Sequence, residues 1–223
     1  MLGIYLLVGV LALWLYSRYV RARPSRGSVC GSTGYPKCWP VVTSYENHME
    51  AVELMGRLNT KLMYFLEYLR EKYHVGESED TIAEEGPEHA AGYDPLRKTY
   101  VEHLLLKYNY EVIQENDPRV SNSTSFTISK GVAMHLCLRR KENPEELIDD
   151  HTLFFVLLHE ISHIANYSSI GHGPTFWRVF KFILEEARLA GIHEPAKYAE
   201  APVEYCGLTV DYSPYWDPTV QAI

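Results

Sequence analysis

Residues 156–163, Val-Leu-Leu-His-Glu-Ile-Ser-His, constrain this chain more than any other stretch, because they write HExxH into an apolar segment with helical spacing. At 3.6 residues per turn, His159 and His163 stand one above the other on one helix face, where two imidazole nitrogens can reach the same Zn²⁺. Glu160 lies one position round, beside the water such an ion would carry and not among its ligands. Asp149 and Asp150 offer an N-cap, and Leu153, Phe154, Val156, Leu157 and Leu158 supply a wide buried face. The spacing therefore predicts a helix running to about residue 165.

A catalytic zinc takes three protein ligands and keeps one position open. Gly171-His172-Gly173-Pro174 supplies the candidate third ligand. The segment before it is a turn by composition, and Pro174 fits the first position of a helix through Phe176, Trp177, Phe180 and Leu184 to about residue 190. His172 then sits at a helix entrance, pointing back toward the pair. The rival is a carboxylate on that helix, Glu185 or Glu186; the two glycines flanking His172 favour the histidine, since they permit a sharp, close approach.

His159-Glu160-x-x-His163 followed by His172-Gly173-Pro174-Thr175-Phe176-Trp177 resembles the WLM and SprT-like minimal zinc metallopeptidases. The wider stretch 125–212, with a strand-like segment at 131–140 and the block Pro202-Val203-Glu204-Tyr205-Cys206-Gly207, is similar to membrane-anchored metallopeptidases of large DNA viruses. The resemblance implies an α+β, zincin-like fold and zinc-dependent proteolysis, with His159, His163 and His172 as ligands and Glu160 as general base. It also implies an edge strand near the motif helix that pairs with extended substrate. Val132, Met134, Leu136 and Leu138 alternate with Ala133, His135, Cys137 and Arg139, the period of a half-buried strand, which is that edge or an ordinary inner strand. Tyr198, Tyr205 and His135 are candidate donors to an oxyanion. The alternative to an enzyme is a catalytically silent protein of a membrane or virion whose fold zinc merely holds.

Residues 2–16 carry no charge, and Arg18, Arg21, Arg23 and Arg26 follow them. Residues 1–20 thus read as an uncleaved transmembrane anchor, and the positive-inside rule places the N-terminus outside and the catalytic domain in the cytosol, at a host or virion membrane. Residues 21–43 read as a tether, residues 45–73 as a long amphipathic helix, residues 76–92 as an acidic mobile loop and Asp94-Pro95 as another helix start, all but the tether within one domain over residues 44–223. Cys30, Cys38, Cys137 and Cys206 form neither CxxC nor an evident disulfide ladder, although Cys30 and Cys38 could pair in an oxidising compartment. The sequons at Asn122 and Asn166 bear on the same question, because a glycan on Asn166 would fall between the candidate ligands. With a net charge of -8 and basic residues gathered near the N-terminus, nucleic acid is not an expected partner, and the crosslink-repair role of WLM and SprT relatives is not expected here. The expected partners are a protein or peptide substrate and, through the N-terminal helix, a membrane.

Overall fold

In the computed structural model, which describes residues 26–34, 36, 38–84, 94–120 and 124–223, the first element is an antiparallel hairpin of β1 (Arg26–Cys30) and β2 (Cys38–Val42). Helix α1 (His48–Lys72) follows because Val52, Met55, Leu58, Leu62, Phe65 and Leu69 recur at helical spacing and bury one face. Gly56 interrupts that helix for a packing reason: a Cβ there would stand 2.9 Å from the Thr33 carbonyl oxygen of the loop crossing it. Glu53 fixes the same loop by accepting the N–H groups of Ser32 and Thr33 at 2.5 and 3.1 Å. A short helix, α2 (Glu79–Glu84), occupies part of the segment expected to be a loop, and residues 85–93 lie outside the described residues. Helix α3 (Pro95–Lys107) starts where Asp94 accepts the N–H groups of Leu96 and Arg97.

A three-stranded sheet comes next, built from β3 (Ile113–Glu115), β4 (Phe126–Ile128) and β5 (Ala133–Leu136) in the order β3-β5-β4. β3 runs parallel to β5 and β4 antiparallel to it. The alternating segment is therefore the inner strand, with partners on both sides, and the edge beside the motif helix is β4. Helix α4 (Asp150–Ala165) begins where the Asp149 carboxylate accepts the Thr152 N–H at 2.8 Å. It is apolar nearly all round, which only a central position satisfies. Leu153, Phe154, Leu157, Leu158 and Ile161 are all buried, packed with Val179, Phe180, Phe182 and Ile183 of α5 (Pro174–Leu189) in one core. A last hairpin, β6 (Val203–Tyr205) and β7 (Leu208–Val210), completes an α+β architecture.

One expectation needs correction. The single-pass membrane reading is not supported: among the described residues no helix is long and apolar enough to cross a membrane, and the proposed anchor at 1–20 lies outside them. The pairing of the cysteines, left open by the sequence, is also resolved: Cys30 bonds Cys38 across the first hairpin, and Cys137 beside β5 bonds Cys206 in the β6–β7 turn. Spacing could not show the second pair, since 69 residues separate its members. No cysteine is left free, and disulfides persist where thiols are not kept reduced. Asn166 is buried at the end of α4 with its amide donating to Ser169 Oγ at 3.0 Å, so the folded chain does not present that sequon; Asn122 lies outside the described residues.

His193, after α5, is 3% exposed, and among the described residues neither ring nitrogen has a hydrogen-bond partner. It stacks on His151 at 4.5 Å between rings and lies near Phe154 and Phe155. Burial, then the neighbouring His151 and Lys61, push its pKa down to about 3. A depressed histidine leaves stability intact above its unfolded value near 6.5 and erodes it as pH falls from there toward 3, by about 1.4 kcal/mol per unit. His193→Phe, compared with the parent by urea unfolding at pH 7 and pH 5, should gain about 2 kcal/mol relative to it on acidification. An unchanged difference between the two proteins would show that this site does not contribute.

Candidate active site

The site is assembled from one helix, one loop and one strand. His159 and His163 project from α4 one turn apart, and His172 enters from the α4–α5 loop just after Gly171, whose φ of 74° is the left-handed conformation a glycine adopts freely. The three Nε2 atoms stand 3.0, 3.1 and 3.2 Å from one another. Three nitrogens at roughly 2.0–2.1 Å from a tetrahedral zinc stand about 3.3–3.4 Å apart, so the observed triangle is a few tenths of an ångström tighter and fits that ion. Among the described residues this is the cluster of histidine, cysteine and carboxylate groups with metal-binding geometry. Glu186 is elsewhere, buried and paired with Lys72 at 2.7 Å and with the Tyr73 hydroxyl at 2.9 Å, and Glu185 does not join the cluster.

Burial lowers all three imidazoles: His159 falls to about 3, with His163 and His172 adding to the effect, and His163 to about 4, with His172 and Lys130 adding. Near neutral pH they are uncharged, the form that ligates a metal. Phe176 explains the aromatic part of the sequence motif. Fully buried, it stacks on His163 at 4.3 Å and meets His159 and His172 edge-on at 4.9 and 4.8 Å, so one ring braces three. Lys130 braces the loop, donating from Nζ to the carbonyls of Asn166 and Ser169.

Glu160 is 3% exposed, and burial raises its pKa to about 7, opposed by the hydroxyl of Thr127, which donates to Oε2 at 2.8 Å. A carboxylate poised there can take and return a proton at neutral pH. Both groups line a cleft of about 640 Å³ that also contains the three histidines, bounded by β4 on one side and β7 on the other. Of the three oxyanion candidates only Tyr205 lines it, its hydroxyl bonded to Ser125 Oγ, which in turn accepts the Cys137 N–H at 2.9 Å. Tyr198 packs on Phe155, and His135 stacks on Phe126. Thr127 on β4 and Lys130 in the β4–β5 turn carry no signal in the sequence, because their partners lie more than thirty residues away on α4 and the loop after it. Thr127→Val should lower the turnover of any reaction that uses Glu160 by about 10- to 100-fold while leaving metal content unchanged; equal turnover would remove Thr127 from the site.

No protein-family model matches the chain. It is 27% identical over 171 residues to an uncharacterised protein of Acanthamoeba polyphaga mimivirus, spanning 77% of this chain and 76% of that one. Uncharacterised proteins of Invertebrate iridescent viruses 3 and 6 are 33% and 35% identical over 78 and 74 residues, matching 35% and 33% of this chain and only 47% and 40% of their own lengths. Among solved structures, Wss1 from Saccharomyces cerevisiae is similar at 14% identity and a TM-score of 0.43, covering 68% of this chain and 87% of that one; a Wss1 mutant gives 13% and 0.44.

Proposed function

We propose that this chain is a zinc-dependent peptidase, in which His159, His163 and His172 hold the metal and Glu160 is the general base. The observation that carries the reading is the pairing of an open three-imidazole triangle with a buried carboxylate on the same cleft. A structural zinc is closed by four ligands and has no use for a base beside it, which tells against the silent-scaffold alternative.

A zinc ion held there would supply the positive charge that acidifies a water and polarises a peptide carbonyl. The chain's own groups do the rest. Glu160 accepts the proton of the attacking water and returns it to the leaving amine. Thr127 fixes one carboxylate oxygen, leaving the other for the transfer. Among the described residues β4 pairs with β5 alone, and Phe126 and Thr127 of β4 line the cleft, so an extended substrate chain can add to its open edge as a further strand. Tyr205, whose hydroxyl is bonded to Ser125 and which lines the cleft, is our candidate to steady developing negative charge.

The test is metal removal. Full-length protein treated with a chelator should lose cleavage of an unfolded protein such as casein and regain it on adding one equivalent of zinc. Cleavage that survives removal of all metal would contradict the proposal.

A further inference from the structure

Beside the histidines the same cleft is lined by apolar side chains. One turn before His159 and Glu160, the same face of α4 presents Phe155 and Val156. Phe180 of α5 stands 5.3 Å from Phe155 and 5.1 Å from His159, ring to ring, so Phe155, Val156 and Phe180 form an apolar floor continuous with the histidine triangle. Leu208 and Val210, two apart on β7, line the opposite side, and Leu208 is 56% exposed although it lies on the cleft. A large apolar residue left open to water at the mouth of a cavity gains free energy when a ligand covers it.

The charges of the cleft do not compete with that chemistry. Lys130 is engaged by the Asn166 and Ser169 carbonyls, so its ammonium is not free for a substrate carboxylate. Asp211 is exposed at the rim, where its carboxylate repels acidic groups. The geometry points to an apolar subsite that selects extended peptides carrying a large aliphatic or aromatic side chain next to the bond to be cut, with Phe155, Val156 and Phe180 beneath it and Leu208 and Val210 above. This specificity rests on the peptidase reading of the adjoining site.

The disulfide gives the upper wall its position. Cys206 is the first residue of the two-residue β6–β7 turn, held at φ 50°, and its bond to Cys137 ties the hairpin to the segment after β5. The Arg140–Glu204 ion pair at 3.1 Å adds a second tie. The wall is thus part of a fixed pocket, which is what discrimination between side chains needs.

The test uses zinc-loaded full-length Glu160→Gln protein, to prevent turnover, and three matched peptides differing at one residue: Phe, Ala or Asp. Calorimetric titration should show the Phe peptide binding about 10- to 100-fold more tightly than the Ala peptide, and the Asp peptide no better than Ala. Leu208→Asp, at an exposed position, should keep its zinc content and unfolding midpoint and lose most of the Phe preference. Equal binding of all three peptides, binding of none, or an unchanged preference in Leu208→Asp would overturn the subsite. Ordered binding without any cleavage by the Glu160 parent would sink the peptidase reading and leave the subsite standing. Cleavage of all three peptides at one rate would do the reverse.

Discussion

Glu160→Gln should lower peptide hydrolysis by about 10²–10⁴-fold, with zinc still bound at the parent's stoichiometry. Glutamine keeps the size of the side chain and can still meet the Thr127 hydroxyl at its carbonyl oxygen, so the packing of α4 around this 3% exposed position is undisturbed. What disappears is the ability to accept a proton. None of the three Nε2 atoms belongs to Glu160, so the metal stays. Parallel measurement of kcat and metal content separates the two effects. A variant with full activity would remove Glu160 from the chemistry, and one that loses zinc would show that the carboxylate holds the site together electrostatically.

Glu115→Ala should destabilise the fold by about 3–5 kcal/mol. Glu115 and Arg139 are both fully buried, with Nε of the arginine donating to Oε1 at 2.5 Å. The other carboxylate oxygen accepts the Val42 N–H at 2.6 Å, which ties β2 to β3, while Arg139 Nη1 donates to the Pro144 carbonyl at 2.9 Å and its guanidinium lies 4.1 Å from the centre of the Tyr45 ring. Removing the carboxylate strands a guanidinium that water cannot reach, and the cost of that unpaired charge exceeds the pair's own net contribution. Glu115→Met combined with Arg139→Met should therefore cost less than the sum of the two single changes. Urea unfolding of the four proteins measures the coupling, and strict additivity would show that the ion pair is not the source.

That His159 and His163 meet was legible because their spacing is local: i and i+4 on a helix fix which side chains come together before any tertiary structure is known. His172 was legible for a similar reason, since Gly171, Gly173 and Pro174 mark a loop that turns straight into a helix. Thr127, Lys130 and the Cys137–Cys206 bond were not, because each joins segments far apart in sequence, and a threonine in a polar stretch has no pattern of its own. The alternation at residues 131–140 identified a strand but not its place, for a half-buried inner strand and an edge strand share period two; only the pairing of β5 with both β3 and β4 decides it. The buried Arg139 read as part of that alternation, and its partner Glu115 sits on a strand too short to announce itself.

Zinc content of the full-length protein, by elemental analysis of the parent beside His172→Ala and Glu185→Ala, tests the central claim most directly. The three-histidine site predicts one zinc per chain in the parent and in Glu185→Ala, and loss of it in His172→Ala. No zinc in the parent, or zinc that survives the loss of His172, would contradict it.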